Sequence, residues 1–91
     1  MKRRTLAVDV AYRAAKGDAP ERHVARSWFG KSTSRHYDAA LSYDDNAGRA
    51  GAEHAMSHMR AAYGPCSLLS VQVHKGHGKS MVAIVTVEVA S

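Results

Sequence analysis

Residues 44–63, DDNAGRAGAEHAMSHMRAAY, decide how this chain folds, because they hold sustained helical spacing while the segments on either side read as strand. Ala52, Ala55, Met56, Met59, Ala62 and Tyr63 recur at i, i+3, i+4, i+7, i+10 and i+11, a spacing that about 3.6 residues per turn gathers into one apolar stripe. Arg49, Glu53, Ser57 and Arg60 fall outside it. Asp44, Asp45 or Asn46 is suited to accept from the first unpaired amides of the helix, and Gly64-Pro65 to end it.

Working outward, residues 5–13 alternate, with Leu6, Val8, Val10 and Tyr12 opposed to Ala7, Asp9, Ala11 and Arg13, the pattern of a half-buried strand. After a turn at residues 16–20, a second strand is expected over 22–28 and a polar edge strand over 32–37, whose charges discourage edge-to-edge aggregation. Beyond the helix, Leu69, Val71 and Val73 are expected on one face, with Leu68, Ser70, Gln72 and His74 on the other. A glycine-rich turn at 75–79 leads to residues 81–89, whose dense β-branching fits a central strand. The expected fold is one α+β domain spanning residues 1–91: an antiparallel sheet of four to five strands, with one helix over about residues 46–63 packed on one face.

Composition narrows function. Thirteen Lys and Arg against eight Asp and Glu give a formal charge of +5, which favours an acidic or nucleic-acid partner or simply keeps a small domain soluble. Cys66 is the single cysteine, so a reducing cytoplasm is expected. The apolar run behind the basic N-terminus is broken by Asp9 and Arg13, arguing against a signal peptide, and no stretch approaches the roughly 20 apolar residues of a membrane span.

Several motifs suggest chemistry and lack its context. Gly30-Lys31-Ser32 and Gly78-Lys79-Ser80 carry the last triplet of a phosphate-binding P-loop, yet Val73 stands where that loop needs its first glycine, and strands rather than helices follow. His54 and His58 have a zinc-sharing spacing, but Glu53 precedes the first histidine instead of following it. His36, His74, His77 and Cys66 supply no recognised third ligand. On the wheel His54 falls nearly opposite the apolar stripe, so it is expected to face solvent. No catalytic residue, metal or cofactor is expected.

The most function-like cluster is Arg22, Arg26, Lys31, Arg35 and His36, interleaved with Trp28, Phe29 and Tyr37, with Lys75 and Lys79 on the second turn. Arginines that neutralise phosphates beside rings that stack on bases describe a single-strand binder, and arginines beside large rings also describe a protein interface. The competing reading puts Trp28 and Tyr37 in the core with a solvated rim of arginines. The sequence leads us to expect Arg26, Lys31 and Arg35 on one face.

The run from Val24 to Met59 resembles small proteins encoded by bacteriophages and prophages. It carries a basic strand, a Gly30-Lys31 turn, Tyr37-Asp38-Ala39-Ala40-Leu41, Asp45-Asn46 and then Glu53-His54 in an alanine-rich helix. Asn46 and His54 stand further apart than in the pattern of those proteins. The resemblance implies a non-enzymatic anti-defence factor, similar to anti-CRISPR proteins, that binds a host protein or nucleoprotein complex in the host cytoplasm. The alternative is direct nucleic-acid binding through the basic, aromatic-flanked sheet face, with no membrane involved.

Overall fold

The computed structural model describes residues 2–27, 31–76, 78 and 80–89. Among these, β1 (Lys2–Arg13), β2 (Arg22–Arg26), β3 (Thr33–His36), β4 (Cys66–Lys75) and β5 (Met81–Val89) form one antiparallel sheet in the order β3-β2-β1-β5-β4. The helix α1 (Tyr43–Tyr63) packs across one face. The expected α+β architecture is therefore the observed one. No helix among the described residues is long and apolar enough to cross a membrane.

Local chemistry fixes the turns. Lys16 and Ala19 exchange both backbone hydrogen bonds at 3.0 Å around Gly17-Asp18, and Gly17 takes φ +58°, the positive angle that a two-residue hairpin turn requires at its first central position. β1 is shared between neighbours: Asp9 to Arg13 pair with β2, and Lys2 to Val10 pair with β5. β3 is an edge strand, as its polar sequence indicates, and β5 lies between β1 and β4 as its β-branching indicates.

The helix starts earlier and is turned differently from the expectation. Its N-cap is Ser42, whose hydroxyl accepts from the Asp45 amide at 3.0 Å, so Asp44 and Asp45 occupy the first turn. Asn46 is buried inside the helix instead of capping it. Its side chain accepts from the Asp38 amide at 2.8 Å and donates to the Asp38 and Ser42 carbonyls at 3.0 and 2.9 Å, tying the approaching loop to the helix.

Ala47, Ala50, Gly51, His54, Ala55 and Met59 are buried, whereas Ala62 and Tyr63 are exposed. The physical reason is close approach: a Cβ at Gly51 would lie 2.4 Å from the Ala83 Cβ, so small residues decide which side of the helix meets the sheet. Val8, Val10, Ala25, Ala83, Val85, Val87 and Val89 complete the core from the sheet side.

β4 also departs from simple alternation. A register shift between Leu68 and Ser70 puts Leu68 opposite Val87, and so on the same side as Val71 and Val73, which oppose Val85 and Ala83. Leu69 is the residue displaced by this bulge.

Candidate functional site

The strand registers define the face that the helix leaves uncovered. Crossing from β3, one row reads His36, Arg22, Arg13; the next reads Ser34, Val24, Ala11; the next runs Arg26, Asp9, Val82, His74. Beyond them lie Ala7, Ile84, Gln72 and then Thr5, Thr86, Ser70. The middle is thus small and apolar, with Val24, Val82 and Ile84 half-buried though no helix lies over them. One corner is basic.

That corner is electrostatically unfavourable to the fold. Arg13 and Arg22 are cross-strand partners, and like charges set directly opposite destabilise a sheet by some fraction of about 1 kcal/mol. The Arg22 guanidinium donates to the Pro20 carbonyl at 3.3 Å, a neutral acceptor that leaves its charge uncompensated. Arg26 lies opposite Asp9, which balances it in part.

The expected cluster is consequently split. Arg22, Arg26 and His36 share the uncovered face. Arg35 does not: it pairs with His23 in register, on the helix side, and its guanidinium meets the Glu53 carboxylate at 2.6 Å. The expectation that Arg26 and Arg35 project together fails because they lie at positions of opposite parity across the β2–β3 pairing. Lys31 is exposed before β3, and Lys75 ends β4 opposite Met81 on the helix side. Trp28, Phe29, His77 and Lys79 lie outside the described residues. The expected cluster omits Arg13, although the alternation of β1 puts it on the face with Asp9 and Ala11.

Tyr37 belongs to neither stacking platform nor rim. It joins Tyr12 and Tyr43 around His23 on the helix side, with ring centroids 5.9, 5.6 and 5.0 Å from the imidazole. His23 is 1% exposed and neither ring nitrogen has a hydrogen-bond partner. Burial holds its pKa below the usual 6.5, against the pull of the Glu21 charge in the opposite direction. Glu21 itself accepts a hydrogen bond from the Tyr12 hydroxyl.

His54, expected in solvent, is buried where α1 meets the ends of β2 and β3. Its Nε2 bonds the Ser27 hydroxyl at 2.7 Å and its Nδ1 the Thr33 hydroxyl at 2.9 Å. Burial and then the neighbouring His58 lower its pKa. One imidazole thereby pins both strands to the helix. Among the described residues no group of three or more His, Cys, Asp or Glu is arranged to hold a metal ion.

On the other side of β3, a groove of about 590 Å³ runs between Ser34–Ala39 and the helix residues Arg49 and Glu53. Its charges are internally engaged: Arg49 donates to the His36 carbonyl at 3.1 Å and lies 3.6 Å from the Asp38 carboxylate, and Arg35 is bound to Glu53. Comparison with protein families, curated proteins and solved structures returns no match to this chain.

Proposed function

We propose that this chain is a non-enzymatic binding protein that lays its uncovered sheet face on a nucleoprotein partner and acts by occlusion. The carrying observation is the row Arg13, Arg22, His36 beside an apolar middle. Arginines flanking small apolar residues make a face suited to docking on a partner with acidic or phosphate groups at its rim. A domain of this size can cover about 800 Å² of a partner, enough to close a nucleic-acid channel without chemistry. The resemblance of residues 24–59 to phage proteins supports a host defence complex as that partner, in the manner of anti-CRISPR inhibitors, and has the protein act in the host cytoplasm.

A second reading, direct nucleic-acid binding, is favoured by the continuation of the basic corner to Arg26. With Tyr12, Tyr37 and Tyr43 on the helix side, such binding would rest on phosphate contacts and carry little sequence preference.

The two are separated by capture from bacterial lysate with and without nuclease, alongside direct titration of random-sequence DNA and RNA at two salt concentrations. Arg22→Glu with Arg26→Glu should weaken capture at least tenfold. Capture that survives nuclease supports the protein surface of a nucleoprotein, and binding of naked nucleic acid that falls steeply with salt supports the second reading. Undiminished capture by the charge-reversed protein would remove this face from consideration.

A further inference from the structure

Successive residues of a strand point to opposite faces of its sheet, so the basic row has an underside. Arg13, Arg22 and His36 are followed or preceded directly in the chain by Tyr12, His23 and Tyr37, which lie on the helix side of the same corner. Tyr43, at the start of α1, closes this box with its ring 5.0 Å from the imidazole. His23 is buried there with neither ring nitrogen hydrogen-bonded, a cost that a phenylalanine in the same aromatic surroundings would not incur. What imidazole has and a phenyl ring lacks is a proton to gain near neutral pH.

That proton would convert a ring with one donor and one acceptor into a cation with two donors, in a box that offers no acceptor to either nitrogen. The titratable and charged groups around it are Tyr12 from β1, Glu21 before β2, Arg35 opposite in β3, Tyr37 after it and Tyr43 from α1. Arg35 repels an imidazolium, and Glu53 of α1 is already bound to Arg35. Glu21 is the carboxylate that remains; it is exposed and receives only the Tyr12 hydroxyl. The box also fastens both ends of the connection from β3 to α1, through Tyr37 and Tyr43, while Asn46 holds Asp38 between them. Ala39 and Ala40 are exposed, so little else secures it.

We propose that His23 is an acid-operated latch: on taking up a proton it leaves the tyrosine box for the Glu21 carboxylate, displacing the Tyr12 hydroxyl, and residues 37–43 come away from the sheet while β1 and β5 stay paired. Burial keeps the ring neutral and the latch closed above pH 6.5. An opened imidazole regains the ordinary value of 6.5, so opening grows by up to about tenfold per pH unit from there down to the closed-state value. Opening removes the support beneath Arg13, Arg22 and His36 and so loosens the face read above as a binding surface. That consequence rests on the binding reading; the latch does not.

Amide hydrogen exchange of the full chain from pH 7.5 to 5.0, corrected for intrinsic rates, tests the latch without a partner. The Tyr37 and Asp38 amides, bonded to the Glu21 carbonyl and the Asn46 side chain, should open more readily than the Val85 amide of central β5 at every pH, increasingly so below 6.5. His23→Phe should abolish that widening gap. Glu21→Gln, at an exposed position that leaves the core untouched, should reduce the ratio of Tyr37 opening at pH 5.5 to that at pH 7.5. The imidazole Hε1 resonance that His23→Phe removes should titrate below 6.5. Exchange of Tyr37 and Asp38 only in step with Val85 would mean that acid unfolds the whole domain and no latch exists. A gap that widens equally in His23→Phe, or a ratio unchanged by Glu21→Gln, overturns the proposal. So does a His23 titration above 6.5, the sign that the tyrosine rings hold the imidazolium in place by cation–π attraction.

Discussion

Gly51→Ala tests the reason the helix sits as it does. A methyl at this position would come 2.4 Å from the Ala83 Cβ, and carbon pairs are comfortable only at about 3.5–4.0 Å, so helix and strand must part by roughly 1 Å or more. Neither group has a rotamer through which to escape, and β5 is held on both sides by β1 and β4. Alanine should gain about 1 kcal/mol in helix propensity, while forced separation in a packed core costs about 1–3 kcal/mol, here toward the upper end. The net loss is about 1–2 kcal/mol, or a fall in Tm of roughly 4–16 °C for a domain of this size. Gly48→Ala is the internal comparison. Its methyl would meet side-chain atoms of Val73 and Val71 at 3.2 and 3.3 Å, on an edge strand that can yield by tenths of an ångström. Propensity should then offset strain to within about 0.5 kcal/mol. Urea unfolding at constant m-value measures both, and adding Ala83→Gly to Gly51→Ala should recover stability in a double-mutant cycle. A Gly51→Ala protein as stable as the parent would show that the helix does not approach β5 at this point.

Two further substitutions and a pH series probe the buried polar groups. Asn46→Ala strips the Asp38 amide and two carbonyls of their partner and should cost about 2–3 kcal/mol. Asn46→Asp, which keeps the acceptor but turns a carboxylate on those carbonyls, should be no better; a silent Asn46→Ala melt would contradict the network. His23 and His54 both have folded-state pKa values below 6.5, so between their folded values and 6.5 the unfolded chain binds more protons. Their stabilising effect is complete above 6.5 and is lost as pH falls through the folded values. The urea midpoint should accordingly decline from pH 7.5 to 5.5, and His23→Phe should flatten that decline; equal slopes in parent and variant would refute the assignment.

The parts of the fold that announce themselves in sequence are those where polarity alternates strongly. Residues 81–89 fall in the observed strand with the expected face inward, and the polar β3 lies at an edge because Arg35 and His36 would be costly to cover. The face of α1 is less legible. Met56, Met59 and Tyr63 carry most of the hydrophobic weight, but Ala47 and Ala50 are fully buried and Gly51 makes the close approach to Ala83, and small residues contribute little to any hydrophobic period. The hydrophobic period therefore puts His54 in solvent, whereas hydroxyls from Ser27 and Thr33 make its burial tolerable. The register of β4 is illegible for another reason: a bulge changes parity without changing composition. The candidate face inherits the same limits, since Arg35 left it through strand parity and Arg13 joined it through a pairing that sequence alternation implies only once the partner strand is known.

Whether the basic corner is a binding surface or a solvated rim turns on the sign of one substitution in two assays. Arg13 and Arg22 oppose each other in register, and Arg22 is held otherwise by a neutral carbonyl. Arg22→Glu converts a repulsive cross-strand pair into an attractive one, so folding should be unaffected or strengthened by up to about 1 kcal/mol, less at high salt. A rim that exists for solubility predicts nothing more than that. A face selected for an anionic partner predicts the opposite sign in binding, because the same change places a carboxylate against the partner's acidic or phosphate groups. Stability rising while capture falls is the signature of a site kept at the expense of the fold. Stability falling with Arg22→Glu would mean that Arg22 makes a stabilising contact within the domain, and the argument for its exposure to a partner would lose its basis.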